Sequence, residues 1–526
     1  MPSTVERRTG RFAAPIFPEG YRASGLLLPI TSLPSPYGIG DLGPGARLWV
    51  DRLAGAGQTW WQALPLGPTG SHNSPYQCLS SFAGNELLIS PDLLIRDGLL
   101  QPGECAGAFS STAVDYDVVI PFKRRLLELA WSRFQAGARK DLRPAYEAFC
   151  HERASWLEDY ALFRALKARF GGAAYLEWPA ELVQRSHTAL TAARRSLANE
   201  VDRVRLAQFL LSRQGNVLKE YARAKGVRLI GDLPFFVSPD SSDVWANPEL
   251  FLLNARGRPR FVGGVPPDYF SARGQLWGNP VYNWEVLRCT GYAWCIDRLR
   301  ALLAHVDVVR LDHFRGFAAA WHVRAGAPTA EAGEWVPGPG ADFFRAAQRE
   351  LGGLPFIAED LGSITPDVSA LLNDFRLPGT RVLQFAFDGN AENPHLPRNY
   401  PHNSVAYTGT HDNASVREWY DGVAEGDRRF IRQYLRRPEA DEREIAPELI
   451  RLAWSSPAAV AIAPLQDLLN LGREGRINVP GTAEGNWRWR ATSHMLSARN
   501  FRWLSDLASA VHRSGAAPLR AIGAAS

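Results

Sequence analysis

Val306 to Phe314 reads VDVVRLDHF, an apolar run that stops on charged side chains. A strand buried on both faces looks like this, and such strands build parallel sheets. Seven other segments share the pattern. Upstream lie GLLLPITS from Gly25, TWWQALPLGP from Thr59 and VRLIGDLPFF from Val227. Downstream lie PFIAEDLG from Pro355, TRVLQFAF from Thr380, SVAYTGTHD from Ser404 and AAVAIAPLQD from Ala458. Helical patterns separate them, such as Gly45 to Ala56 and Asp342 to Leu351. Strand alternating with helix implies a parallel sheet. Eight such units predict the α/β class and a (β/α)8 TIM-type barrel, one barrel domain over 1–526 with insertions.

Two insertions are expected. Residues 85–224 read as largely helical, with FKRRLLELAWSRFQA from Phe122 and a long helix from Leu190 to Ala224. Residues 238–284 are rich in Pro, Gly and aromatics and have little periodicity. That reads as a loop insertion, and a loop this long in a compact domain is usually functional.

Composition narrows the function classes. The chain has 526 residues, 46% of them hydrophobic, enough for a sizeable core. No stretch approaches the ~20 apolar residues that cross a bilayer, and the N-terminal MPSTVERRTGRFAAP lacks the apolar segment of a secretory leader. A membrane partner is not expected. Five scattered cysteines without a CxxC pair argue against a zinc site or disulfide framework and for a cytoplasmic protein. The net charge of +5 is small for this length, and the arginines are dispersed, so no nucleic-acid partner is expected. The 17 Trp raise the prospect of a sugar site, because indole faces pack well on the C–H faces of pyranose rings. The sequence is silent on oligomeric state.

Barrel enzymes carry their chemistry at the C-terminal ends of the strands. Four of the runs end there in carboxylates: Asp232, Asp312, Glu359 and Asp412. A buried carboxylate is costly unless paired or hydrogen-bonded, so four converging on one rim call for a functional reason. Glycoside transfer supplies one. Its oxocarbenium-like transition state is stabilised by negative charge, one carboxyl must hold a proton, and a retaining enzyme needs a second carboxylate ~5 Å away as nucleophile. Arg310 lies two residues before Asp312 and points the same way along a strand, so it can pair with that carboxylate. His411 beside Asp412 is placed to bind sugar hydroxyls.

Longer blocks carry a resemblance. GLLLPITSLPSPYGIGDLG, WWQALPLGPTGSHNSPYQCLSSFAGNELLI, GDLPFFVSPDSSDVWANPELF, GVPPDYFSARGQLWGNPVYNW, VDVVRLDHFRGF, GEWVPGPG, FIAEDLG, YTGTHDN and QDLLNLG…RINVPGT…NWRWR follow in order from about Gly25 to Arg490. Together they resemble the amylomaltase family, the 4-α-glucanotransferases of the α-amylase-like superfamily. The resemblance implies Asp312 as nucleophile, Glu359 as general acid and then base, and Asp412 as the group that holds the distorted sugar. It implies Tyr76, Asp232, Arg310 and His411 around the donor glucose, with Tyr76 stacked on its ring. It implies an active-site loop with Tyr269, Phe270, Gln275 and Trp277 towards the acceptor, and His313 and Asn478 as further sugar contacts. Substrates would be α-1,4-glucans and maltooligosaccharides, with no metal and no organic cofactor. ASVREWY after HDN departs from the family's commoner acid and threonines, which points to an altered acceptor site rather than lost activity.

Other signals are weak. Gly38, Gly40 and Gly43 spell GxGxxG, but Pro34 and Pro36 stretch the turn and no acidic residue ends a second strand at the right spacing. His305, His313 and His322 lack a metal-ligand spacing, and no GxSxG elbow is present. Two alternatives stay open: a hydrolase using the same carboxylates with water as acceptor, and a non-catalytic glucan-binding protein. The second would require the carboxylates to be lost, and they are present.

Overall fold

The computed structural model describes residues 15–267 and 271–514. Eight parallel strands close into a barrel: β1 (Ala23–Leu27), β2 (Trp60–Gln62), β3 (Arg228–Leu233), β4 (Val308–Leu311), β5 (Phe356–Ala358), β6 (Gly379–Val382), β7 (Ser404–Tyr407) and β8 (Val460–Pro464). Each overlaps one of the eight predicted runs, β1 starting two residues and β6 one residue before its run. Every strand pairs with its neighbours in sequence, and β1 closes on β8 with Ala23 opposite Val460.

Side chains alternate between two cores, as the strand period of two requires. Leu27, Trp60, Ile230, Val308, Ile357, Val382, Val405 and Ile462 fill the barrel interior. Leu26, Trp61, Leu229, Val309, Ala406 and Ala461 face outward into the packing with the helices. One polar pair crosses the interior, the Tyr407 hydroxyl donating to Gln62 Oε1 at 2.7 Å. Gly25 is needed between β1 and β2: a Cβ there would lie 2.2 Å from the Trp60 carbonyl oxygen.

Helices occupy much of 85–224, including Tyr116–Gln135, Ala154–Arg169 and Ala198–Ala224. The continuous helix expected from Leu190 to Ala224 is two, His187–Ser196 and Ala198–Ala224, broken at Leu197. Segment 238–284, read from sequence as a loop, carries two strands. Gln275–Pro280 and Phe261–Val265 pair with Ala319–Arg324 and Gly333–Pro337 in a four-stranded antiparallel sheet, in that order. Gly263, Gly264 and Gly278 dilute the apolar alternation that would have announced these strands. Among the described residues, no helix is long and apolar enough to cross a membrane.

Candidate active site

The C-terminal ends of β3, β4, β5 and β7 meet at a cavity of about 740 Å3. Register assembles its chemistry. Asp232 on β3 lies opposite Arg310 on β4, and Leu311 lies opposite Ala358 on β5. Asp312 and Glu359 are therefore the next residues out on adjacent strands. Neighbouring strands run ~4.8 Å apart, which is the carboxyl spacing that retention asks for.

Arg310 organises this group. Its Nη1 donates to Asp232 Oδ1 and Oδ2 at 3.0 and 2.8 Å, and to Asp312 Oδ1 at 2.9 Å. The three are graded in depth, the side chain of Asp232 being 0% exposed, Arg310 5% and Asp312 27%. Asp232 is thus the buried counter-ion and Asp312 the partner that reaches the cavity. Burial pushes the Asp232 carboxyl up and Arg310 draws it back. A fourth partner comes from the loop after β2: the Tyr76 hydroxyl donates to Asp232 Oδ2 at 2.9 Å.

Glu359 has a different setting. It accepts the backbone N–H of His313 at 2.8 Å and of Leu361 at 3.1 Å. His313 has φ of 47°, a left-handed conformation that a side chain adopts only at a cost of ~1–2 kcal/mol. The burial around Glu359 pushes its carboxyl up to about 8; Arg310 opposes that rise and Asp312 reinforces it. At neutral pH Glu359 keeps its proton.

Asp412 stands at the mouth, its side chain 47% exposed. Its Oδ1 accepts from Asn478 Nδ2 at 2.7 Å, and its Oδ2 lies 3.3 Å from His411 Nε2. Burial raises this carboxyl, but His411 and the Asn478 amide outweigh it, and the net position is below the ordinary carboxylate range.

The remaining predicted residues fall into place unevenly. The Tyr76 ring is stacked on His411, with centroids 5.1 Å apart, and packs against Trp487 at 5.8 Å. Tyr76 also lines the cavity. Asn478 serves Asp412 directly. Trp277 packs edge-on against His313 at 4.8 Å, and its Nε1 donates to Gln275 Oε1 at 3.2 Å. These three line the cavity. Tyr269 and Phe270 lie outside the described residues. Trp487 and Trp335 also line the cavity. Both sit in the NWRWR and GEWVPGPG blocks, but nothing local marks them among 17 Trp. Among the described residues, no group of three or more His, Cys, Asp or Glu is set to hold a metal.

Comparison with known proteins gives the family. A family profile described as 4-alpha-glucanotransferase matches residues 28–496. A 4-alpha-glucanotransferase of Synechocystis sp. is 48% identical over 92% of this chain and 96% of its own. One from Thermus thermophilus is 46% identical over 94% and 99%. Among solved structures, an amylomaltase from Streptococcus agalactiae in complex with acarbose superposes with a TM-score of 0.90 at 36% identity, covering 94% of this chain and 100% of that one.

Proposed function

The chain belongs to the 4-alpha-glucanotransferase family and transfers α-1,4-glucan segments; from that premise we propose how its residues divide the work. Asp312 attacks the anomeric carbon of the donor glucose while Glu359 gives its proton to the departing 4-oxygen. The glucosyl unit is left as an ester on Asp312. Glu359, now a carboxylate, takes the proton from the 4-OH of the incoming glucan, and that oxygen displaces Asp312. Configuration is retained through two inversions.

The observation that carries this reading is the unequal pair: Asp312 bonded to a guanidinium, Glu359 beside it with its carboxyl raised to about 8. A carboxyl raised in this way beside one bonded to arginine makes an acid and a nucleophile. Asp412 holds the distorted sugar by its hydroxyls. Arg310 and Tyr76 form the donor wall with the buried Asp232 and His411 holding them from behind, and Gln275, Trp277 and His313 form the acceptor wall. The His313 Nε2 is buried and has no hydrogen-bond partner among the described residues; a sugar hydroxyl is the partner we assign it. The 238–284 segment supplies the acceptor side, and the helices of 85–224 brace the barrel. Among the described residues, no His, Cys, Asp or Glu cluster is set for a metal. The cytoplasm is the compartment we propose, on the five scattered cysteines.

The acarbose held by the Streptococcus agalactiae relative supports an oligosaccharide in this cavity. The hydrolase alternative is not favoured, since the relatives are transferases by name. Incubation with maltotriose alone tests the reading. A ladder of longer maltooligosaccharides plus glucose is expected. Glucose and maltose with no longer chains would make it a hydrolase.

A further inference from the structure

Six large apolar side chains are exposed among the described residues: Val118, Val217, Leu276, Trp335, Ile364 and Val479. Three of them, Leu276, Trp335 and Val479, line the same catalytic cavity. Apolar surface left open around a polar cleft marks a binding surface. Trp335 is the largest of the three, 37% exposed on the edge strand Gly333–Pro337.

Its ring is held in place. Arg315 lies over it, guanidinium carbon to ring centroid 3.6 Å. Trp321, opposite it on the neighbouring strand, packs edge-on at 5.3 Å. Arg315 is fixed in turn: Nη1 donates to the Ser363 carbonyl and to Thr365 Oγ1, the latter at 3.1 Å. Arg315 is 7% exposed, so this cation was taken out of water to sit between an indole and a carbonyl. The part of Trp335 that Arg315 leaves uncovered opens on the cavity. A ring fixed before binding loses little freedom on binding.

Arg315 is two residues beyond His313, which packs on Trp277. Trp277 and Trp335 sit on the two outer strands of the four-stranded sheet. His313, Trp277 and Trp335 all line the cavity that the catalytic carboxylates open on, the two indoles from opposite edges of that sheet. We propose that the Trp335–Arg315 pair is a distal acceptor subsite, which stacks a glucose unit of an α-1,4-glucan beyond the one whose 4-OH reacts. This rests on the transferase assignment and sets acceptor length rather than chemistry.

The test separates acceptor binding from donor cleavage. An α-maltosyl fluoride donor charges Asp312 without help from the acceptor side. Transfer is then measured to glucose and to maltotetraose with the parent, Trp335→Ala and Trp335→Phe. The expected result is a KM for maltotetraose raised about tenfold in Trp335→Ala, kcat little changed, and the preference for maltotetraose over glucose reduced to the same degree. Trp335→Phe should recover most of it. Equal losses for both acceptors, or no change for either, would overturn the subsite. Fluoride release by the parent without any transfer product would instead overturn the transferase reading itself.

Discussion

Glu359 holds its proton at pH 7 because the space around it is protein, not water, and because the Asp312 carboxylate stands beside it. Its work as an acid is therefore lost as pH rises through about 8, and kcat/KM for maltotriose should fall tenfold per pH unit above that value. A titration of initial rates from pH 6 to 10 checks this; a limb that begins near 5 would remove Glu359 from the acid role. The same shift affects stability. An unfolded glutamate releases its proton near 4.5, the folded one near 8, so the folded state binds more protons between those values and loses stability across that window. Glu359→Gln is expected to gain ~1–2 kcal/mol over the parent at pH 8.5, part of the shift being offset by Arg310 and by relaxation, and nothing at pH 4. Asp312→Asn should lower kcat by at least ~10⁴-fold while oligosaccharide binding persists, because it removes the nucleophile and leaves the walls standing. Retained turnover in that variant would assign the ester to another carboxylate.

Between residue and fold lies the loop after β8, which reaches back to the end of β7. Arg476 donates from Nε to the Asn478 carbonyl at 2.8 Å, from Nη1 to Glu418 Oε2 at 3.2 Å and from Nη2 to the Asp412 carbonyl at 3.3 Å. One guanidinium thus ties Asp412, the amide that orients it and the helix Val416–Gly422. Arg476→Met should lower kcat about tenfold with KM within twofold, since the pocket remains and Asp412 drifts. Steady-state kinetics read this directly, and a rise in KM alone would make Arg476 part of the binding wall. Glu418 belongs to the ASVREWY stretch where this sequence leaves the family pattern, so the departure falls on the support of Asp412 as well as near the acceptor. The carboxylates were legible because each ends a run that only a buried strand explains. The sheet of 261–265 and 275–280 was not, because glycines and an exposed face erase its alternation. Nor were the tasks of Asn478 and Trp487, which depend on where the β8 loop returns in space.

Over the whole molecule, the barrel closes where chain beginning and chain end meet. Arg513 is fully buried and, among the described residues, has no carboxylate partner. Its Nε donates to the Trp454 carbonyl at 2.6 Å, Nη1 to Ala23 at 2.7 Å and Ala459 at 3.3 Å, and Nη2 to Ser456 at 2.9 Å and Ala458 at 2.8 Å. Burial draws this guanidinium down to about 9, with Arg22 adding to the effect. Removing the side chain takes a donor from five carbonyls at the base of the barrel; Trp454 and Ser456 keep a bond from Arg22, and Ala459 keeps one from the Ala23 N–H, while a carbonyl left with no donor costs ~1–3 kcal/mol unless water enters. Arg513→Ala is expected to lower the thermal midpoint by several degrees while kcat on maltotriose at 25 °C stays within twofold. An unchanged melt would mean that the carbonyls find water. Arg513→Lys should recover only part, having fewer donors and no planar fork. The eight-strand order was readable from apolar runs alone, whereas this contact was not, because nothing near Arg513 in sequence announces that one of its partners, Ala23, lies 490 residues away.

The pairing of β1 with β8 bears on how the protein is made. On the ribosome, Ala23–Leu27 emerges early, and its second neighbour is not translated until over ~400 residues later. At ~5–20 residues per second the nascent chain carries an open parallel edge for tens of seconds to more than a minute, and the arginine that fastens the seam comes last of all. Synthesis speed and chaperone supply, rather than final stability, should therefore govern the yield of active enzyme, and slowing translation should favour aggregation through that edge.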